Sequence, residues 1–162
     1  MNERPRRLAA NEIGAVAALA RTVWQATYPA LISQAQIDFM LADRYAAARV
    51  QAQLDDPAHA WWVAGTPPAG FAHASRDGRA CKLDKLYVHP QRQRNGIGTA
   101  LLDAVTAWAR AHGDASLHLQ VNRGNAQAIR AYEKYGFRIV ESRVFDIGEG
   151  FVMDDHVMVL TL

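Results

Sequence analysis

The hexapeptide Gln93-Arg94-Asn95-Gly96-Ile97-Gly98 carries the densest chemical signal in the chain. An apolar alternating segment, Leu83-Asp84-Lys85-Leu86-Tyr87-Val88-His89-Pro90, precedes it, and an alanine-rich amphipathic segment follows. Together they read as a strand, a glycine-rich turn and a helix whose first amides point at an anion. Leu86 and Val88 suit a buried strand, and Pro90 stops it by removing a donor from the ladder. Ile97, Leu101, Leu102, Val105 and Trp108 recur at helical spacing and give the next element one apolar face. Gly96 and Gly98 keep bulk off its first turn, where unpaired N–H groups and the positive end of the helix dipole can meet phosphate. Arg92 and Arg94 add positive charge beside that opening, and a pyrophosphate is the expected occupant. The alternative is that the glycines only make a tight turn. Spacing excludes two other phosphate loops: Leu101 stands where the dinucleotide fingerprint has its third glycine, and no Gly-Lys-Ser/Thr triplet follows.

Other chemistries find less support. Cys81 is the only cysteine among 162 residues, so an intrachain disulfide and a thiolate metal cluster are excluded. Its place beside a strand suits a small buried hydrophobe better than a nucleophile. The six histidines show no H-E-x-x-H or comparable ligand pair, and no metal is expected. A formal charge of +2 is too small to argue for nucleic acid. No apolar run approaches the roughly 20 residues of a membrane span, so neither a signal segment nor a membrane partner is expected and a cytoplasmic protein is.

The elements that must position the turn follow from pattern. Half of the residues are apolar, enough for one domain spanning residues 1–162. A short strand is predicted over Arg7 to Ala10, then a helix from Glu12 to about Thr27, capped by Asn11 and ended by Pro29. Ser33 caps a second helix bearing Ile37, Met40, Leu41 and Tyr45, which continues toward Leu54 and stops at Asp55-Asp56-Pro57. Trp61 to Val63 and Gly70 to Ala74 form strands, antiparallel across Gly65-Thr66-Pro67-Pro68. Trp61 and Trp62 then point to opposite sides of the sheet. Arg76-Asp77-Gly78 turns the chain into the strand that ends at Val88. The helix after the glycine turn runs to about His112 with Gly113 as its cap. Leu117, Leu119 and Val121 mark a strand, and Asn125 starts a short helix ended by Gly136. Phe137 to Phe145 and about His156 to Leu162 close the fold around the loop Asp146-Ile147-Gly148-Glu149-Gly150. The class is α+β, a mixed sheet with helices on its faces.

With these elements in place, the glycine turn and a downstream block resemble the GCN5-related N-acetyltransferase superfamily, in which a Gln/Arg-x-x-Gly-x-Gly/Ala segment binds the pyrophosphate of acetyl-CoA. The downstream block is Val121-Asn122-Arg123-Gly124-Asn125-Ala126-Gln127-Ala128-Ile129-Arg130-Ala131-Tyr132-Glu133-Lys134-Tyr135-Gly136-Phe137. Trp24-Gln25-Ala26-Thr27-Tyr28-Pro29 and Asp154-Asp155-His156-Val157-Met158 also resemble members that acetylate small amines, including polyamine acetyltransferases of the bacterial PaiA type. The resemblance implies a mixed, mostly antiparallel sheet of about seven strands whose fourth and fifth strands splay apart. Here those strands end near Val88 and Val121. The pantetheine arm of acetyl-CoA would lie in the opening against exposed main-chain groups.

It also implies a distribution of roles. Leu86, Tyr87, Val88, Gln93, Arg94, Asn95, Gly96, Ile97, Gly98 and Thr99 would bind the donor, with the Val88 backbone polarising the acetyl carbonyl from a strand bulge. Asn125 either caps its helix or contacts the donor. Tyr132 matches the family tyrosine, and its phenol, with an ordinary pKa near 10, would protonate the leaving thiolate. Asp84 is the first candidate for the base that deprotonates the amine, with Glu141 and His118 as competitors. Trp24 and Tyr28, at i,i+4, would wall the acceptor pocket, or else anchor the core, with Asp38, Asp154 or Asp155 attracting a cationic amine.

The activity implied is transfer of an acetyl group from acetyl-CoA to a primary amine of a small molecule, a polyamine among them, by direct attack with both substrates bound. The alternatives are transfer to a protein N-terminus or lysine, and a non-catalytic module that binds acyl-CoA or a partner protein. Edge strands and aromatic surfaces leave a homodimer open.

Overall fold

The computed structural model describes residues 3–162. Its strands are β1 (Arg6–Arg7), β2 (His59–Ala64), β3 (Gly70–Asp77), β4 (Ala80–Val88), β5 (Ser116–Asn122), β6 (Arg138–Gly148) and β7 (Phe151–Thr161). Its helices are α1 (Ile13–Thr27), α2 (Gln34–Arg44), α3 (Ala47–Leu54), α4 (Ile97–Ala111) and α5 (Ala126–Tyr135). The strands form one seven-stranded sheet in the order β1-β2-β3-β4-β5-β7-β6. Every neighbouring pair is antiparallel except β4 and β5. This is the mixed α/β architecture expected from the resemblance. No helix among the described residues is long and apolar enough to cross a membrane.

Alternation sorts the sheet into two cores. On one face Trp62, Ala72, Leu83, Leu117, Leu119 and Met158 pack against Ile97, Leu101, Leu102, Val105 and Ala109 of α4. On the other, Trp61, Val63 and Phe71 pack beneath α1, α2 and α3 through Val16, Ala20, Val23, Trp24, Ile37, Met40 and Val50. The two adjacent tryptophans are buried on opposite sides, and Trp62 meets the edge of Trp108 on α4 with ring centroids 5.8 Å apart. Cys81 lies fully buried against α4, where burial pushes its thiol up to about 12.

Several boundaries differ from the sequence expectation. The first strand is only Arg6–Arg7, and the chain turns through Ala10–Glu12 before α1. Asn11 caps nothing; Arg6 instead donates to both oxygens of Glu12 at 2.6 and 2.7 Å, and Glu12 accepts from the Ala9 amide at 3.2 Å. Ser33 does cap α2, accepting from the Gln36 amide at 3.1 Å. The second helix breaks at Tyr45–Ala46 and restarts as α3, which turns the apolar side chain of Val50 into the core. The last two strands are longer than expected, meet in a tight reversal at Glu149–Gly150, and carry Asp154 and Asp155 inside β7 and not in a loop. β6 forms the sheet edge and leaves Ile139, Val140 and Val144 exposed.

Gly70 sets how closely α4 approaches the sheet. A Cβ there would lie 2.9 Å from Ile97 Cγ2 and 3.2 Å from both Leu101 Cδ1 and the Tyr87 carbonyl. Gly70→Ala is therefore expected to destabilise the fold by ~1–3 kcal/mol through overpacking, read as a lower midpoint in urea. An unchanged midpoint would show that α4 has room to move.

Candidate functional site

Pairing between β4 and β5 holds only for Cys81↔Leu117, Lys82↔His118 and Leu83↔Leu119. Beyond Leu83 and Leu119 the strands part, and their facing main-chain groups border a cavity of about 660 Å³. The glycine turn and α5 line it toward the α4 face of the sheet, while Trp24, Tyr28, Met40 and Arg44 of α1 and α2 line it on the other.

In the turn, Gly96 is the N-cap of α4 with φ at +81°, a left-handed conformation that glycine adopts without steric cost. Gly98 has a different reason to be glycine. It lies inside the helix, and a Cβ on it would meet only Val88 Cγ2, at 3.7 Å. Neither turn geometry nor internal packing requires it, and the space it leaves faces the cavity it lines. The first main-chain bond into α4 is donated by Ala100 to the Gly96 carbonyl at 3.0 Å, so the amides of Ile97, Gly98 and Thr99 have no partner among the described residues. Gln93 braces the turn: its Nε2 donates to the Val88 carbonyl at 3.2 Å, and its Oε1 accepts from Gln127 of α5 at 3.4 Å. Gln93, Arg94, Gly96, Gly98 and Thr99 line the cavity. The side chains of Asn95 and Ile97 do not, and Ile97 is buried in the core.

Leu86, Tyr87, Val88, Asn125 and Tyr132 complete this half. Asn125 Oδ1 accepts from the Ala128 amide at 3.3 Å, which makes it the α5 cap and leaves its Nδ2 without a partner. Burial, and secondarily the neighbouring Tyr87, push the Tyr132 phenol above its ordinary range, so it stays protonated. The strand bulge is not at Val88. Ala74 faces Leu83 and His73 faces Lys85, so Asp84 is the extra residue of β4. The bulge delivers Asp84 and Lys85 in succession to the face covered by α1–α3.

On that face Trp24 and Tyr28 are buried in the core, ring centroids 4.5 Å apart, and also line the cavity. The hydroxyls of Tyr28 and Tyr87 share a hydrogen bond at 3.1 Å. Asp84 lines the cavity too, but its carboxylate is already engaged. It accepts from Ser75 Oγ at 2.8 Å and pairs with Lys82 at 3.3 Å. Burial pushes its pKa up, Lys82, Lys85 and the Ser75 bond act against burial, and the carboxyl stays below the usual carboxylate range. Asp84 is thereby a weak proton acceptor. Its neighbour Lys85 is buried, donates to His73 Nδ1 at 3.2 Å and lies over the rings of Trp61 and Tyr45; desolvation draws its ammonium down to about 7. His73, driven by burial and Lys85 to about 2, is neutral, so its 3.6 Å approach to Asp84 is not an ion pair.

The two terminal aspartates separate cleanly. Asp154 points to solvent, where it pairs with Arg123 at 3.1 Å, and it takes no part in the cavity. Asp155, one residue on, faces the opposite way, is 2 % exposed and lines the cavity beside Met153. Its Oδ1 is buried without a hydrogen-bond partner. Desolvation, only partly offset by Arg44, raises this carboxyl to about 6. Asp155, and not the expected Asp154, is therefore the aspartate that enters the cavity, because it shares a face of β7 with Met153 two residues before it. Asp38, Glu141 and His118 lie outside the lining, Asp38 accepting from Gln34 and Glu141 pairing with Arg143. Among the described residues no group of three or more His, Cys, Asp and Glu gathers to hold a metal ion.

The acetyltransferase (GNAT) family model matches residues 19–137. An uncharacterised N-acetyltransferase of Mycobacterium tuberculosis (strain ATCC 25618 / H37Rv) is 36% identical over 156 residues, covering 94% of this chain and 97% of that protein. The ribosomal protein bS18 alanine N-acetyltransferase of Escherichia coli (strain K12) is 42% identical over 55 residues, 34% of this chain and 37% of that protein. Among solved structures, the PaiA N-acetyltransferase of Thermoplasma acidophilum, in complex with coenzyme A, superposes with a TM-score of 0.86 over the whole of both chains at 20% identity.

An unpaired buried carboxylate costs stability in the absence of a ligand, and its pKa gives the pH window. Asp155 titrates near 6 in the folded protein, against about 3.9 for a carboxyl in the unfolded chain, so the folded state holds this proton more tightly. Its penalty is absent below about pH 4, grows through pH 6 and is complete by about pH 7, at ~2–3 kcal/mol. Asp155→Asn is expected to raise the Tm of the unliganded protein by several degrees at pH 8 relative to wild type, with a smaller difference at pH 4.5. Equal increments at the two pH values would show that Asp155 is not buried as a charge.

Proposed function

Because this chain belongs to the acetyltransferase (GNAT) family, we propose that it moves an acetyl group from acetyl-CoA to the primary amine of a small molecule, with both substrates held in the cavity between β4 and β5. The observation that carries this reading is the set of partnerless amides at Ile97, Gly98 and Thr99 opening on the space left by Gly98. A diphosphate fits such a cradle because the N–H groups and the helix dipole together favour negative charge. Arg94 adds a cation at its rim. The Asn125 amide nitrogen and the unpaired edges of β4 and β5 are the matching partners for the amides of a pantetheine arm.

When bound, acetyl-CoA supplies a thioester carbonyl that an amine can attack. The residues around it have separable tasks. The exposed main chain of Leu86, Tyr87 and Val88 orients the acetyl group and donates toward the oxygen on which charge develops. Tyr132 keeps its proton at Oη, since burial disfavours the phenolate, and holds it for the departing sulfur. Asp155, whose carboxyl sits nearer neutrality than Asp84, is the better matched of the two to accept a proton from the amine. Trp24, Tyr28 and Tyr87 form an aromatic wall suited to a small acceptor. Polyamines, as in the PaiA-type likeness, are one acceptor class within this reading. A protein N-terminus is the second reading, and the segment shared with the ribosomal alanine N-acetyltransferase favours it.

An acceptor panel assayed with acetyl-CoA, following free thiol and confirming product mass, tests the reading: thiol release that depends on a small amine supports it, and turnover confined to peptide N-termini selects the second. Tyr132→Phe is expected to lower kcat about 10- to 100-fold with little change in the KM for acetyl-CoA. Full turnover by the folded variant removes Tyr132 from the chemistry. Asn125→Ala is expected to weaken acetyl-CoA binding more than acceptor binding, while losing about 1 kcal/mol as a helix cap.

A further inference from the structure

The charges on the α1–α3 side of the cavity do not form an acidic pocket. Lys82 is paired with Asp84, whose second oxygen is bonded to Ser75, and Lys85 is bonded to His73. On this side of the cavity two charged groups are left over. Asp155 has a buried oxygen with no partner, and Arg44, half-buried at the C-terminal end of α2, makes no hydrogen bond or ion pair among the described residues. They face the same cavity without being close enough to pair with each other, so the space between them is bounded by one negative and one positive group. Burying either without a partner is costly, and the least costly occupant brings a complementary charge to each.

Resting on the transferase reading above, we propose that the acceptor is a zwitterion of the amino-acid type, its ammonium on Asp155 and its carboxylate on Arg44. A polyamine fits less well, because its second ammonium would meet Arg44, Lys82 and Lys85 with no unspent carboxylate to receive it. A guanidinium suits the task, since its planar fork matches a carboxylate at two points. Met40, Trp24 and Tyr28 line the remaining wall and suit an apolar side chain.

The test uses matched pairs that differ by one carboxylate: phenylalanine and 2-phenylethylamine, methionine and 3-(methylthio)propylamine, lysine and 1,5-diaminopentane. The expected result is a kcat/KM roughly 10- to 100-fold higher for the amino acid of each pair, the size of one charge-assisted contact. In Arg44→Gln, checked for a wild-type melting curve, the ratio should fall toward unity, and in Asp155→Asn the KM for both members should rise while calorimetric binding of acetyl-CoA persists. Equal or better turnover of the decarboxylated amines overturns the inference, as does a ratio unmoved by Arg44→Gln, or acetyl-CoA binding with no turnover of any pair member. Loss of acetyl-CoA binding in the wild-type protein overturns the transferase reading itself.

Discussion

Parallel pairing between β4 and β5 ends after three residue pairs, and the rest of the site follows from what that leaves undone. Each strand remains anchored on its far side, β4 to β3 along its whole length and β5 to β7 as far as Asn122. Neither can therefore swing back to close the gap. The exposed main-chain donors and acceptors need partners, and a ligand with amides along its length supplies them more completely than water in a narrow cleft. Both helical layers border the same splay, because α4 lies over one face of the sheet and α1–α3 over the other, and each presents an end to the opening.

The chemistry is divided between those layers by the physics of each. The α4 layer offers main-chain N–H groups and a helix dipole, which recognise an anion without a charged side chain and so without burying one. The other layer offers side chains on a buried strand face, where each charge must be compensated. Asp84, Lys82, Ser75, His73 and Lys85 compensate one another, and the bulge that sets Asp84 and Lys85 side by side brings them into this network. Asp155 is left outside it. A residue that weakens the unliganded fold and faces the cavity is the kind of position where stability has been exchanged for binding.

The donor-side elements were legible in the sequence. The strand to Val88 shows in its alternation, and the glycine turn, α4 with its Gly113 terminus and the Asn125 cap of α5 depend on contacts within about one or two turns of chain. Two motifs of this local kind, in order, also carried the family. Less legible were the break between α2 and α3, which no glycine or proline marks, and the length of the final hairpin, where exposed valines in β6 and charged residues in β7 masked the alternation.

The sequence by itself determined the strand, glycine turn and helix on the donor side, the free amides at the start of α4, and the tyrosine that follows Asn125. Only the tertiary structure decided that Asp155 and not Asp154 enters the cavity, that Asp84 is spent on Ser75 and Lys82, and that Arg44 stands opposite without a partner. The reason is range. Caps, turns and helical stripes are set by neighbours in the chain, whereas the direction of a side chain on β7 depends on its register with β5 and β6, and the charge state of a buried group depends on every residue the fold brings beside it.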